Sequence, residues 1–407
     1  MKILIPTESI RINETSSGIV NSSLIQYLSG LGHRVKVIYD NSNISYPVNW
    51  FRNIELVPTN FNAYRRKWWQ NIPKIRALPT YYYGKSLPEI HKINQWKYLI
   101  EKQINDFKPD IILVLGSGSE FLPHWAMTNI KTEIPWIANF HDPYPMSRYP
   151  EPYRKKPNFV YFLQERKTRE IFGKATYLSF PSKLLMQWFD KFIPGFKDKS
   201  RVLPHLHYPF DNLPSSINDD KVSLPLGKFN IIHAGTLLGP RKVTGLFEAF
   251  SRLMNEDSDF KEKAQLTVIG KIARENKHIV DNALNNISIY PYRISYKRSL
   301  ELLQQADLPL IIEADAKISP FLPGKFADIV YFEKPFLAIT PEHSEIRRLM
   351  GKDYPLICTQ NPEEIYQTLK SAWSMWKNDS FPKETIKKIK PYLTEKSLMS
   401  FLESLKL

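Results

Sequence analysis

The chain has 407 residues, 43% of them hydrophobic, and 56 Lys and Arg against 41 Asp and Glu give a net charge of +15. This length suffices for two domains with separate cores, and the composition is that of an ordinary globular protein. A single cysteine excludes an internal disulfide framework and a zinc site of several cysteines, and no run reaches the roughly 18 apolar residues of a membrane span. We therefore predict a cytoplasmic protein whose excess of positive charge favours anionic partners: nucleic acid, phosphorylated substrates or a lipid surface.

Short apolar runs alternate with amphipathic ones in the first half of the chain, which indicates a doubly wound α/β domain. The predicted strand 110–115 is continuously apolar after Asp110, as in strands buried in parallel sheets. We predict strands at 1–6, 34–39, 110–115, 136–140 and 176–180 and helices at 17–32, 87–107 and 158–172. Ligands of such folds bind at the carboxyl ends of the strands, so residues that directly follow a strand are site candidates.

The segment 64–85 is dense in basic and aromatic residues. Rings and cations together suit the headgroup region of an anionic membrane, where rings lie at the boundary and cations meet lipid phosphates. Single-stranded nucleic acid uses the same chemistry through stacking. A long basic surface loop with some rings folded into the core is the third interpretation, and the sequence leaves all three open.

A segment rich in Pro, Asp, Asn and Ser interrupts the alternation at 204–227, and we predict an interdomain linker there. The pattern then restarts, with predicted strands at 229–234, 265–270, 308–313 and 336–340 and helices at 243–254, 295–305, 362–377 and 382–407. The predicted architecture is two Rossmann-like domains, 1–203 and 228–381, that face each other across a cleft. The last segment, 382–407, is predicted to pack back towards the first domain.

The most informative stretch is 319–339, which reads as a Pro/Gly turn, a short helix and a buried strand. Lys325 falls in the first helical turn, where the helix dipole disfavours a cation unless an anion binds there as well. Asp328 lies three residues further on and shares a helix face with Lys325. A cation for phosphate beside a carboxylate for a sugar diol indicates a nucleotide site. The alternative is a surface turn followed by an amphipathic helix.

These features resemble those of GT-B glycosyltransferases, and most closely the retaining family 4 enzymes that use nucleotide-sugars. Three segments carry the resemblance: Thr15-Ser-Ser-Gly18, which opens a helix; the strand, loop and helix from His233 to Ala249; and Lys325 to Pro335, with a Pro-x-Lys-x-x-Asp pattern. The resemblance spans nearly the whole chain. It is strongest over 229–350 and weak over 41–105.

The resemblance implies roles for residues of the second domain. The loop with Gly235 and Thr236, followed by Arg241 and Lys242, corresponds to the segment that holds the donor diphosphate. Thr236 replaces the family's upstream arginine, so part of the phosphate binding is expected to pass to Lys325. Asp328 lies seven residues before Pro335, the spacing of the acidic residue that binds the ribose hydroxyls.

One departure concerns the first acid of the family's paired-glutamate motif, because Pro320 stands at that position. Glu313 and Asp315 are nearby acids, but their spacing does not fit the motif. The resemblance also implies an enzyme that retains anomeric configuration and needs neither a metal nor a cofactor beyond the nucleotide-sugar co-substrate.

In the first domain, the resemblance implies that the loop bearing Gly18 faces the donor sugar. It also implies that His141 contacts the transferred sugar and that Asp142 orients it or meets the acceptor hydroxyl. The alternative is that Asp142 caps a turn before Pro143 while His141 packs beneath it. Arg293 is a candidate for the base pocket.

Three further histidines are weaker candidates. His233 lies on an apolar strand, which favours a core residue. His205 and His207 flank the linker with a spacing that suits a metal, but no third ligand accompanies them.

The sequence therefore predicts a glycosyltransferase that moves a sugar from a nucleotide-sugar to a glycan or lipid-linked acceptor in surface polysaccharide synthesis. It is expected at the inner face of the cell membrane, with a possible contact to anionic lipid through residues 64–85. A catalytically inactive GT-B module that serves as a nucleotide- or glycan-binding scaffold is the alternative. A nucleic-acid-binding protein is the third hypothesis and rests on net charge alone.

Overall fold

The computed structural model describes residues 1–42, 48–65, 72–118, 120–274 and 286–406, and within these ranges the chain forms two parallel sheets. The strands of the first sheet are β1 (Lys2–Thr7), β2 (Arg34–Tyr39), β3 (Ile54–Pro58), β4 (Ile111–Leu115), β5 (Trp136–Asn139), β6 (Tyr177–Phe180) and β7 (Ser200–Val202). Their order is β3-β2-β1-β4-β5-β6-β7, and every neighbouring pair is parallel. All residues of β4 are buried, as expected for a parallel sheet covered on both faces.

The second sheet lies in the second half of the chain. Its strands are β8 (Phe229–Ala234), β9 (Ala264–Ile269), β10 (Ile287–Tyr290), β11 (Leu308–Ile312), β13 (Leu337–Ile339) and β15 (Ile357–Cys358). They are ordered β10-β9-β8-β11-β13-β15, again all parallel, and a small separate sheet pairs β12 (Ile318–Ser319) with β14 (His343–Ser344). The predicted fold class, two Rossmann-like α/β units, is confirmed.

Described helices lie between most of the successive strands, as is usual for parallel pairing. The helices of the first half are α1 (Ser16–Gly30), α2 (Pro73–Tyr83), α3 (Leu87–Phe107), α4 (Leu122–Met127), α5 (Phe159–Lys174) and α6 (Lys183–Asp190). The described helices of the second half are α7 (Thr244–Glu256), α8 (Ser258–Lys263), α9 (Tyr296–Gln305), α10 (Gly324–Tyr331), α11 (Glu345–Met350), α12 (Pro362–Lys377), α13 (Lys383–Ile389) and α14 (Glu395–Glu403). No described helix has the length and apolar character needed to cross a bilayer.

The chain passes between the two halves twice, once after β7 and once before its C-terminal helix. The segment between β7 and β8 contains only a short 3-10 turn, Asp219–Lys221. Near the C-terminus, Leu398 and Phe401 of α14 lie in the same apolar cluster as Ile3 and Ile5 of β1. The last helix therefore packs on the first sheet, although it follows the second sheet in sequence.

Direct contacts hold the two halves together. The Glu345 carboxylate, fully buried at the start of α11, accepts hydrogen bonds from the backbone amides of Lys183 and Leu184 at the start of α6, both at 3.2 Å. Ser182, the N-cap of α6, donates to the carbonyl of Pro320 at 2.5 Å. The two bonds to Glu345 satisfy amides at the start of α6 that lack partners within the helix. They also fix how closely the two sheets approach.

Candidate active site

A cavity of about 640 Å³ lies between the two halves, at the edge where the strands of both sheets end. The first half contributes the segment after β1 and the segment after β5, and the second half contributes the loops after β8 and β11 and the start of α10. Its lining includes Thr15, His141, Asp142, Tyr149, Tyr153, His205, Gly235, Thr236, Arg241, Arg293, Tyr296, Glu313, Phe321, Lys325 and Asp328. Residues that follow strands of both sheets therefore line one cavity between the two halves.

Lys325 is the second residue of α10, whose N-cap, Pro323, makes no side-chain capping bond. The first amides of such a helix lack partners within it, so an anion can accept from them. Burial, with Arg241 as the next contribution, lowers the pKa of Lys325 to about 7, while Asp328 acts in the opposite direction. A half-buried amine near its point of titration is stabilised as a cation by any anion that binds beside it.

Because Gly235 has no side chain, the end of the Lys325 side chain can lie directly against the backbone there. A Cβ atom built at Gly235 would lie 2.8 Å from Nζ of Lys325. That ammonium also lies 3.5 Å from Nδ1 of the buried His233, which itself lies 3.3 Å from the carbonyl of Leu310. The loop after β8 and the start of α10 are therefore fitted to each other around one amine.

Asp328 is buried and oriented by two donors. Its Oδ1 accepts from Oη of Tyr296 and from Nδ1 of His207, both at 2.7 Å. A carboxylate has about four acceptor positions, so these bonds leave capacity for hydroxyl groups in the cavity that Asp328 lines. A carboxylate held this way can bind a sugar diol with little reorganisation.

Arg241 lies between carboxylates from the two halves. Its Nη1 donates to the carbonyl of Thr236 and its Nε donates to Oη of Tyr153, both at 3.3 Å, so it bridges the cleft. Burial raises the pKa of Asp142 to about 6, and Arg241 acts to lower it. The guanidinium is a fixed positive charge at the centre of the cavity, and its fork geometry suits phosphate oxygens.

His141 is held by hydrogen bonds at both ring nitrogens. Nε2 lies 2.8 Å from Oδ1 of Asn21, and Nδ1 lies 3.2 Å from Nε2 of His205. Burial, followed by the neighbouring His205 and His124, lowers the pKa of His141 well below its usual value. His141 is therefore a neutral ring with a fixed orientation at the cavity wall.

Comparison with solved structures identifies the architecture. Sucrose-phosphate synthase from Thermosynechococcus elongatus superposes with a TM-score of 0.67 at 10% identity, covering 99% of this chain and 98% of that one. The Anabaena protein HepE, solved in complex with UDP and glucose, gives 0.65 at 11% identity over 100% of both chains. WaaG, a glycosyltransferase involved in lipopolysaccharide biosynthesis, gives 0.61 at 14% identity, covering 98% of this chain and 99% of that one.

The chain has the GT-B fold. The expectation drawn from the motifs is thus confirmed at the level of fold. No model of a known protein family matches the sequence, and no curated protein matches it either.

Within this GT-B cleft, Glu313 is a residue that sequence reasoning set aside. It is buried and follows β11 directly, and its carboxylate accepts from the hydroxyls of Ser319, at 2.5 Å, and Thr340. Burial raises the pKa of Glu313, while those two hydroxyls and Arg241 lower it. Its position at the end of an apolar strand was the available signal, and the expected motif spacing obscured it.

Two predicted site residues do not line the GT-B cavity. Gly18 lies inside α1 and packs on the preceding loop, where a Cβ atom would lie 2.3 Å from the carbonyl oxygen of Arg11. This close approach of the backbone explains why a glycine stands at position 18, without contact with a sugar. Lys242 points to solvent with 63% of its side chain exposed, and its Nζ lies 3.4 Å from the carboxylate of Asp315.

The remaining candidates are Arg293 and three histidines, and the structure places them differently. Arg293 lines the cavity, and its Nη1 donates to the backbone carbonyl of Glu14 across the cleft. His233 lies buried beneath Lys325, as its apolar strand suggests. His205 and His207 contact different side chains, His141 and Asp328, and no group of three or more potential metal ligands occurs among the described residues.

Proposed function

We propose that the chain is a glycosyltransferase that transfers a sugar from a nucleotide-sugar donor to a glycan or lipid-linked acceptor. One observation carries the proposal: the cations Lys325 and Arg241 and the oriented carboxylate of Asp328 line a single GT-B cavity. Phosphate and ribose are the parts of a nucleotide that these groups recognise. The presence of UDP and glucose in HepE, which shares the fold, supports the same ligand class.

In the proposed complex, the donor diphosphate lies between Lys325, Arg241 and the free amides at the start of α10, and Asp328 binds the ribose. The positive groups then stabilise the charge that develops on the departing diphosphate. The transferred sugar lies near His141 and Asp142, where retention of configuration requires donor and acceptor on one face. The protein residues alone supply the positive charge in this proposal, without a metal or a further cofactor.

The test is a thermal-shift panel of UDP, GDP, ADP and CMP with the wild type, Lys325→Ala and Asp328→Ala. A ligand that binds the folded state raises the melting temperature by mass action, and its selectivity names the donor base. We expect one nucleoside diphosphate to stabilise the wild type and neither variant. Arg252→Ala, which changes an exposed arginine on α7, serves as the control and should respond as the wild type does.

The outcome also separates an enzyme from a scaffold, for which Pro320 at the position of the family's first acid is the motivating observation. Hydrolysis of the matching nucleotide-sugar by the wild type supports the enzyme. Binding without any hydrolysis or transfer would favour an inactive scaffold. A panel in which nothing shifts the wild type contradicts both.

Gly235→Ala is expected to weaken binding of the same nucleotide about tenfold, equivalent to roughly 1.4 kcal/mol. The new methyl group would lie within 2.8 Å of Nζ of Lys325 and push the ammonium from its place. The measurement is isothermal titration calorimetry with UDP. Gly173→Ala is the matched control, since a Cβ atom there meets nothing within 4 Å. Equal affinities of the two variants would contradict this account of Gly235.

The lipid-linked acceptor and a location at the inner face of the cell membrane are supported by the surface of the first domain. Helix α2 has no buried residue, although it carries Leu78 and three consecutive tyrosines, Tyr81 to Tyr83, all of them exposed. It packs beside α5, where Phe159 and Phe162 are 56% and 60% exposed with ring centroids 6.1 Å apart. Residues 66–71 of the predicted basic-aromatic segment lie outside the described residues.

Exposed cations accompany these rings: Lys74, Arg76, Arg154, Lys155 and Lys156. Exposed rings and cations on α2, on α5 and in the segment that precedes α5 suit the boundary of an anionic bilayer. We expect the protein to sediment with vesicles of equal parts phosphatidylglycerol and phosphatidylcholine, and less so as salt is raised.

The double variant Tyr82→Ala, Phe162→Ala should lose vesicle affinity about tenfold or more, because two rings no longer enter the interface. Ile217→Ala with Leu226→Ala removes two apolar side chains that are 91% and 99% exposed elsewhere, and serves as the control. Binding to a single-stranded oligonucleotide without binding to vesicles would instead support the nucleic-acid hypothesis.

A further inference from the structure

Two histidines of the segment between the domains, His205 and His207, contact candidate site residues in different halves of the cavity. His205 meets His141 of the first half, and His207 meets Asp328 of the second. The two histidines are only two residues apart in sequence, yet each touches a residue that the proposed function places in the site. This arrangement differs from a metal site, in which both rings would converge.

The contact of His207 is short and enclosed. His207 is 1% exposed, and its Nδ1 lies 2.7 Å from Oδ1 of Asp328. Because a carboxylate oxygen only accepts, Nδ1 of His207 carries the proton and donates it. The ring packs against Tyr331 with centroids 4.1 Å apart and the planes tilted by 36°, and the backbone carbonyl of His207 accepts from Oη of Tyr27 in α1 at 2.8 Å. Both domains thus hold the ring that orients Asp328.

The contact of Asn21 indicates the tautomer of His141, and the contact of His205 is consistent with it. Nδ2 of the fully buried Asn21 faces three oxygen acceptors, Thr7 Oγ1 at 3.1 Å, Ser9 O at 3.0 Å and Gly116 O at 3.2 Å. Its Oδ1 must therefore be the atom that faces His141, and Nε2 of His141 donates to it. A neutral His141 then has a bare Nδ1, which accepts from Nε2–H of His205.

We propose that His205 and His207 are positioning residues: His207 orients the Asp328 carboxylate, and His205 together with Asn21 holds His141 with its proton on Nε2. The proposal rests on the proposed function insofar as Asp328 and His141 serve the donor. It assigns opposite tautomers to two rings, Nε2–H for His141 and Nδ1–H for His207. One short stretch of chain thereby sets groups in both halves of the cleft.

The first test is spectroscopic and needs no ligand. Long-range proton–nitrogen correlation of the full chain labelled with ¹⁵N-histidine distinguishes protonated from bare ring nitrogens, and single-histidine variants assign the nine rings. We expect a bare Nδ1 in His141 and a protonated Nδ1 in His207. In His205→Leu the bare Nδ1 of His141 should move downfield as it loses its donor, and His205→Gln should retain the wild-type position. A proton on Nδ1 of His141, or a bare Nδ1 in His207, overturns the proposal.

The second test measures UDP affinity by calorimetry. His207→Leu should weaken binding about tenfold, because Asp328 loses a charge-assisted donor. His207→Asn places an amide donor near the Nδ1 position and should restore most of the affinity. His343→Leu makes the same replacement at an exposed histidine and is the control.

The two tests fail independently. If His207→Leu binds UDP as the wild type does, the positioning of Asp328 is refuted while the nucleotide site stands. If the wild type binds no UDP or other nucleotide, the proposed function fails, and the tautomers alone decide whether the two histidines hold their partners as inferred. Melting temperatures of all variants show whether a loss reflects unfolding, and His207→Asn keeps the test usable if His207→Leu does not fold.

Discussion

UDP binding is expected to weaken about tenfold for each unit of pH above 7, the slope for uptake of one proton on binding. Lys325 is the group responsible, because its pKa in the free protein is lowered to about 7. Above that pH the free amine is neutral, while a diphosphate beside it favours the ammonium, so binding must take up a proton. Well below pH 7 the lysine is already charged, so its contribution to the pH dependence should vanish.

Calorimetry at several pH values in two buffers of different ionisation enthalpy counts the protons directly. Lys325→Met should bind more weakly at neutral pH and lose the slope, since no titrating amine remains. Lys325→Arg carries a permanent charge and should also show no slope, at whatever affinity its longer side chain allows. A wild type with constant affinity from pH 7 to 9 would mean that the anion does not contact Lys325.

Arg241→Ala is expected to lower UDP affinity at least 30-fold, which corresponds to about 2 kcal/mol or more for removal of a partner from a desolvated charged contact. Arg241 combines a phosphate-binding position with a bond across the cleft to Tyr153. Arg241→Lys keeps the charge and loses the fork geometry, so an intermediate affinity is expected. Calorimetry with UDP measures both.

A second consequence distinguishes Arg241 from a merely structural residue. Arg241 lowers the pKa values of Asp142 and Glu313, which burial raises. Removing its charge should let both carboxyls protonate at higher pH, and carbonyl infrared bands of the protonated acids would report that change. Arg252→Ala leaves both carboxyls untouched, because Arg252 pairs instead with Glu256 and Glu363 on the surface. Unchanged carboxyl titration in Arg241→Ala would refute the assignment of Arg241 to the centre of the cavity.

Much of the fold could be predicted from local patterns. Continuous apolar runs such as 111–115 marked buried parallel strands, and the helix 87–107 was predicted with the bounds that the structure shows. Other elements were missed, among them α2 with its internal Pro79 and the short edge strand β7. Proline inside a helix and strands of three residues carry weak periodic signals, so these elements depend on what they pack against.

The site shows the same division. Lys325 and Asp328 could be paired from the sequence because a spacing of three residues places them on one helix face. His141 and Asp142 could be identified because they directly follow a strand. Glu313 was overlooked because motif spacing was given more weight than its strand end. Gly18 was assigned to the sugar, since a glycine that opens a helix looks the same whether it faces a ligand or a neighbouring loop.

From the sequence alone it was possible to predict the main strands and helices in their order, the α/β fold class and the nucleotide-like pairing of Lys325 with Asp328. Hydrophobic periodicity and helix spacing involve residues that are close together in the sequence, so both can be recognised without the structure. The contacts of His207 with Asp328, across 121 residues, and of Asn21 with His141, across 120, became visible only in the folded structure. Such contacts depend on how the two domains pack against each other. That packing results from many weak contacts across the interface, which no short stretch of sequence contains.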